Sequence, residues 1–110
     1  MFSQEVEKAL KEMGFSELTE VQKRVIPLML DGKNVIVRAK TGSGKTAAFG
    51  IPIVELGYKS LVLTPTRELT RQVASHIRLI GKYKQVKVAE IYGGMPYKLQ
   101  LRHLKNASVV

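Results

Sequence analysis

Ala39-Lys40-Thr41-Gly42-Ser43-Gly44-Lys45-Thr46 follows the apolar run from Asn34 to Val37 and opens a stretch with helical character. The order is strand, glycine-rich loop, Lys-Thr pair, helix. Each residue type in it has a physical use. Glycines let backbone N–H groups crowd a polyphosphate, and the start of a helix adds partial positive charge. Lys45 at that point would reach β- and γ-phosphates, and the Thr46 hydroxyl would hold Mg²⁺. Ala39, a small residue, stands where the usual pattern begins with glycine. A glycine-rich turn that merely caps a helix is the alternative, but such a turn has no need of Lys-Thr just inside the helix. A nucleoside triphosphate is therefore the first ligand to expect.

Outward from this loop, helices and strands alternate. On the N-terminal side, Val6, Ala9, Leu10 and Met13 recur at helical spacing, with Ser3 to cap the start and Gly14 to end it. Thr19 opens a second helix carrying Val21, Val25, Leu28 and Met29. Pro27 is expected to kink that helix or end its first half. Asp31-Gly32-Lys33 turns into the strand before the loop, and a third helix runs from Gly44 toward Leu56, interrupted near Pro52 and ended by Gly57.

On the C-terminal side the pattern repeats. Ser60 to Thr64 reads as a buried strand, and Pro65-Thr66 leads into a helix with Leu69, Val73, Ile77 and Ile80, closed by Gly81. Val86 to Tyr92 alternates as a strand, Gly93-Gly94 turns, and Pro96 suits the first turn of a helix whose apolar side is Leu99, Leu101 and Leu104. Ser108-Val109-Val110 begins a fourth strand. This alternation predicts an α/β fold with right-handed crossovers, a parallel sheet and helices on both faces. The sequence stops two valines into a buried-type strand, so a piece of a larger domain is expected.

The 110 residues carry 18 Lys+Arg against 9 Asp+Glu, a formal charge of +9. Such an excess favours a polyanionic partner, nucleic acid before membrane, unless it serves only solubility. The 45% hydrophobic and 25% charged fractions are ordinary for a globular chain. With no cysteine, disulfides and Cys-ligated metals are excluded. Met1 leads into a polar, acidic segment unlike a signal peptide, and no apolar run is long enough to span a bilayer. A soluble cytoplasmic protein without a membrane partner is expected.

Four blocks, in order, carry a family resemblance over nearly the whole chain. Gly14-Phe15 with Thr19-Glu20-Val21-Gln22, then Ala39 to Thr46, then Pro65-Thr66-Arg67-Glu68-Leu69 with Gln72, then Gly93-Gly94 with Gln100 and Leu104, resemble the Q motif, motif I, motif Ia and the GG motif of DEAD-box RNA helicases. The chain looks like the first part of their N-terminal RecA-like domain, a three-layer P-loop fold that is incomplete here. On this resemblance residues 1–32 form a Q-motif helical region and 33–110 the start of the ATP-binding domain. Glu17-Leu18 departs from the pattern, where many relatives have a basic residue and proline.

The resemblance implies roles that the residues can physically fill. Adenine can stack on Phe15, and the Gln22 amide offers one acceptor and one donor to its 6-amino group and N7. Read without the resemblance, Thr19 and Gln22 equally form a helix capping box, and Phe15 a core or staple residue. Lys45 and Thr46 would serve catalysis, with Mg²⁺ reaching Thr46 through the nucleotide. Pro65, Thr66, Arg67, Gly93 and Gly94 would contact the RNA sugar-phosphate backbone, giving sequence-independent, salt-sensitive binding. Their plain alternative is a solvated helical turn and a tight loop.

His76 and His103 sit among helical residues without ligand-like partners and read as surface or half-buried positions. The other parts that hydrolysis needs, a magnesium carboxylate, a water-positioning group and an arginine, are expected beyond Val110 and in a second RecA-like domain. The function expected is ATP-dependent local unwinding of RNA. The competing classes are a non-hydrolysing ATP- or RNA-binding module and a P-loop ATPase acting on DNA or protein.

Overall fold

The computed structural model describes residues 2–42 and 44–110. Five helices form: α1 Gln4–Glu12, α2 Glu20–Leu30, α3 Lys45–Leu56, α4 Arg67–Ile80 and α5 Tyr97–Leu104. Their ends are set by local chemistry. The Ser3, Thr19 and Thr66 hydroxyls accept from the backbone N–H groups of Val6, Gln22 and Leu69, satisfying donors that a helix start leaves open. At the far end of α1, Gly14 takes a φ of +86°. It donates to Lys11 O while Phe15 donates to Leu10 O, both within 3.0 Å. This is the Schellman closure, and it seats Phe15 against the core.

Neither interior proline ends its helix. α2 continues through Pro27 to Leu30, and α3 continues through Pro52 to Leu56. Each lacks one backbone donor, but tertiary packing holds the helix together across it. Pro52 is fully buried, as are Ala47, Ile51 and Val54 beside it, and burial of each large aliphatic side chain contributes about 1.5–3 kcal/mol, comparable to the cost of an interior proline, about 3 kcal/mol.

α3 is the centre of the helical layer, packing against α1, α2 and α4. Val6, Leu10, Ile26, Ile51, Val54, Val73, Ile77 and Ile80 make the core with Val109. Gly50 permits the close approach of α3 to α4, since a Cβ there would lie 3.1 Å from Ile80 Cδ1.

The expected strands appear as extended segments with sparse pairing. Val109 bridges Ser60 on one side and Val88 on the other, both in parallel. Ser60 N–H donates to Ser108 O, Val62 N–H to Val110 O and Ala89 N–H to Val109 O. Among the described residues no bridge includes 34–37, and Ile36, Leu61 and Leu63 are exposed by 102%, 72% and 85%. The ladder extends only as far as the three residues 108–110 supply partners, so four full strands do not form. α5 also differs: none of its residues is buried, Leu101 and Leu104 are exposed, and it packs against no other helix among the described residues.

Candidate functional site

The glycine loop bends at Gly42 and Gly44, with φ of +84° and +88°. These left-handed conformations are open to glycine and strained for other residues. Gly44 is the N-cap of α3 and Lys45 its first residue, which aims the helix start at the loop. The Lys45 Nζ donates to Ala39 O at 2.6 Å, so the side chain arches back across the loop. Lys40, Thr41, Gly42 and Lys45 are exposed, while Ala39, Gly44 and Thr46 are half-buried. Ser43 lies outside the described residues.

Thr19 and Gln22 pack directly against this loop. Gln22 is 2% exposed. Its Oε1 accepts from Thr19 N–H at 2.9 Å, its own N–H donates to Thr19 Oγ1, and its Nε2 donates to Gly44 O at 3.2 Å. The capping box is therefore complete, and the same amide ties α2 to the loop. A Cβ at Gly44 would sit 2.5 Å from Gln22 Nε2 and 3.0 Å from Thr19 Oγ1. Only glycine leaves room for that tie.

Phe15 is half-buried and faces elsewhere. It lines a cavity of about 770 Å³ between α1 and α4, with Met13, Arg71, Gln72, His76 and Leu79. That lining includes neither Gln22 nor any residue of the 39–46 loop. Burial lowers the pKa of His76 below its ordinary value, whereas His103 is exposed.

A second group forms where α4 begins. Arg67 Nη2 donates to Gly93 O at 2.8 Å, bringing the Pro65-Thr66-Arg67 turn to the Gly93-Gly94 loop. Pro65, Arg67 and Gly93 share a cavity of about 650 Å³ with Leu63, Thr70 and Tyr92. The Thr66 hydroxyl is occupied as the cap of α4, accepting from Leu69 N–H at 3.1 Å. Gln100 Nε2 donates to Met95 O, bracing the turn after Gly94. Two members of this group, Tyr92 and Arg71, were not singled out from sequence. Arg67 and Arg71 lie 5.0 and 5.4 Å from the Tyr92 ring centroid, and Arg71 Nη2 donates to the Tyr92 hydroxyl at 3.2 Å. That hydrogen bond is the main cause raising the Arg71 pKa above its ordinary value. The signal was available, because Tyr92 abuts Gly93 and Arg71 follows Arg67 by one helical turn.

A helix-opening glycine loop braced by a buried glutamine, together with a separate arginine-bearing turn, sits within a recognisable class. The DEAD/DEAH box helicase family model matches residues 19–110. The chain belongs to that family. It is 51% identical, over 94% of its own length, to the DEAD-box ATP-dependent RNA helicase CshA of Geobacillus kaustophilus, of which it covers 23%. It superimposes with a TM-score of 0.95 and 68% identity on a hypothetical ATP-dependent RNA helicase from Sulfolobus tokodaii, covering 98% of this chain and 33% of that one. The RNA helicase Prp28 from Chaetomium thermophilum, solved with ADP, aligns with a TM-score of 0.86 and 32% identity over 98% of this chain and 29% of that one. The chain thus spans about a quarter to a third of the length of these relatives.

Proposed function

We propose that this chain is the ATP- and RNA-backbone-binding N-terminal portion of an ATP-dependent RNA helicase. Residues 1–32 form its Q-motif region, and 33–110 begin a three-layer, parallel-sheet RecA-like domain. The observation that carries the reading is the loop: left-handed Gly42 and Gly44 at the entrance of α3, with Lys45 exposed beside them. A glycine-rich loop opening a helix can offer backbone N–H groups to a phosphate, and the helix start adds partial positive charge. Lys45 would exchange Ala39 O for the β- and γ-phosphates, a stronger, charge-assisted partner.

The loop fits a nucleotide better than a free metal ion. Among the described residues no group of three or more His, Cys, Asp or Glu could hold a metal. Mg²⁺ would therefore be held by the nucleotide phosphates with the Thr46 hydroxyl, and when bound it would neutralise charge during phosphoryl transfer. Phe15 and Gln22 would read adenine, as the ADP-containing relative makes reasonable. For this the Gln22 amide has to become accessible, since its present partners are Thr19 and Gly44, and Phe15 has to present a ring face outside the α1–α4 cavity that it lines. Pro65, Thr66, Arg67, Gly93 and Gly94 would contact RNA phosphates and sugars without reading bases. The formal charge of +9 supports a polyanionic partner. Among the described residues no helix is long and apolar enough to cross a membrane, and a cytoplasmic site of action is part of the proposal.

The complete protein would close two RecA-like domains over ATP and RNA, bend one strand and reopen after hydrolysis. RNA-stimulated phosphate release by the complete protein tests this. Lys45→Ala is expected to lower it by about a hundredfold or more, because the transferring phosphates lose their cation. A rate near that of the parent removes Lys45 from the site. Stimulation by DNA or protein alone, or none at all, would favour the other classes. Residues 1–110 by themselves are expected to show no turnover.

A further inference from the structure

Arg67 is an exposed arginine at the first position of α4. Such a side chain carries large rotamer entropy, and a phosphate contact made from a freely moving side chain forfeits part of that freedom on binding. Here it is not left to move. Its Nη2 is on Gly93 O, and its guanidinium lies against the Tyr92 ring. Arg71, on the same face of α4, anchors the other end of that ring through the hydroxyl. A helix face carrying two neighbouring cations is mildly self-repelling; the shared aromatic face, negative at its centre, offsets this. Gly94 completes the arrangement, since a Cβ there would come within 3.2 Å of Arg67 Nη2.

We propose that Tyr92 is a positioning residue: pinned by Arg71, it holds the Arg67 guanidinium beside Gly93 so that RNA-backbone affinity depends on Tyr92 through Arg67. The inference rests on the reading of Arg67 as a backbone contact given above. Tyr92 itself is half-buried, at the edge of the cavity that Pro65 and Gly93 line, and touches no base in this account. Its ring supplies the face and its hydroxyl the anchor. A tyrosine retained only for packing would be replaceable by any apolar side chain of similar size.

The test measures binding of two unrelated single-stranded RNAs to the complete protein across a salt series. Arg67→Ala, Tyr92→Leu, Tyr92→Met, Tyr92→Phe and the Arg67→Ala/Tyr92→Leu double variant are compared, with thermal unfolding as the folding control. Tyr92→Leu and Tyr92→Met are expected to weaken both RNAs by about three- to tenfold and to flatten the salt dependence toward that of Arg67→Ala, by about 0.7 in slope. The double variant should bind no worse than Arg67→Ala alone, and Tyr92→Phe, which keeps the ring but loses the hydroxyl anchor on Arg71, should fall between the parent and Tyr92→Leu. If Arg67→Ala weakens binding but a folded Tyr92→Leu or Tyr92→Met keeps the parental affinity and slope, Tyr92 does not position Arg67. Losses that multiply in the double variant overturn the proposal equally. If Arg67→Ala itself binds like the parent, the backbone-contact reading fails first and this inference with it.

Discussion

The two loops at the ends of extended segments are built on opposite principles. The 39–46 loop is held from within: Gln22, 2% exposed, spends both ends of its amide on Thr19 and Gly44. The Gly93-Gly94 loop is held from outside by Arg67, with Tyr92 and Arg71 around it, where Arg67 and Arg71 are exposed. The first arrangement couples a binding loop to the stability of the fold, because a buried amide cannot lose its partners without cost. The second leaves the fold nearly indifferent, since exposed cation and hydrogen-bond contacts are screened by water. One loop is part of the core's accounting of polar groups; the other is an attachment that can be altered almost freely.

This contrast can be broken at several points. The largest effect is expected at Gly44. Gly44→Ala would force a Cβ to within 2.5 Å of Gln22 Nε2 at a φ of +88°, and should cost about 2–4 kcal/mol from backbone strain plus the displaced amide. Denaturant unfolding measures it; a loss below the level of a surface substitution would mean that the loop yields and is not tied to α2.

Gln22→Ala follows, with an expected loss of about 1–3 kcal/mol from the broken capping box and the lost tie to the Gly44 carbonyl, which keeps its helical partner Ala48 N–H. ATP and GTP binding to the parent and this variant separate its two jobs. If the variant is destabilised yet neither protein prefers ATP, Gln22 is a brace and not an adenine reader. On the exposed side, Arg67→Ala should destabilise by less than about 1 kcal/mol while weakening unrelated RNAs by similar factors. Equal damage to stability and to RNA binding would erase the distinction between the loops.

The smallest effect concerns His76. Its folded pKa lies below the ordinary value of 6.5 because of burial. The unfolded chain therefore takes up the proton more readily, and stability falls as pH drops below about 6.5, levelling off once pH passes the lowered folded value. His76→Gln should flatten the dependence of the unfolding midpoint on pH in that window. An unchanged slope would assign it to other groups.

Short-range chemistry made much of this legible in advance. Ser3 and Thr19 were readable as caps, and Gly14 and Gly57 as helix ends, because each acts within four residues of its own backbone. The spacing of Val73, Ile77 and Ile80 foretold the buried face of α4, which the structure shows. Pro52 misled for the complementary reason: local propensity argues for a break, but the helix is held by side chains far away in sequence. The strand expectations were met in part because a strand is not a local object; its hydrogen bonds belong to a neighbour, and among the described residues Ser60, Val88 and Val109 pair in bridge register.

The sequence by itself determined the glycine loop, the Lys-Thr pair, the caps, the charge excess and the family, since each is fixed by residue identity and order along the chain. Only the tertiary structure decided what those residues touch. It set Gln22 against Gly44, 22 positions away, and Arg67 against Gly93, 26 positions away. It also turned Phe15 toward α4 and left α5 without a buried residue. These outcomes depend on how helices pack around α3, and a packing arrangement is a property of distances between segments that no local pattern encodes.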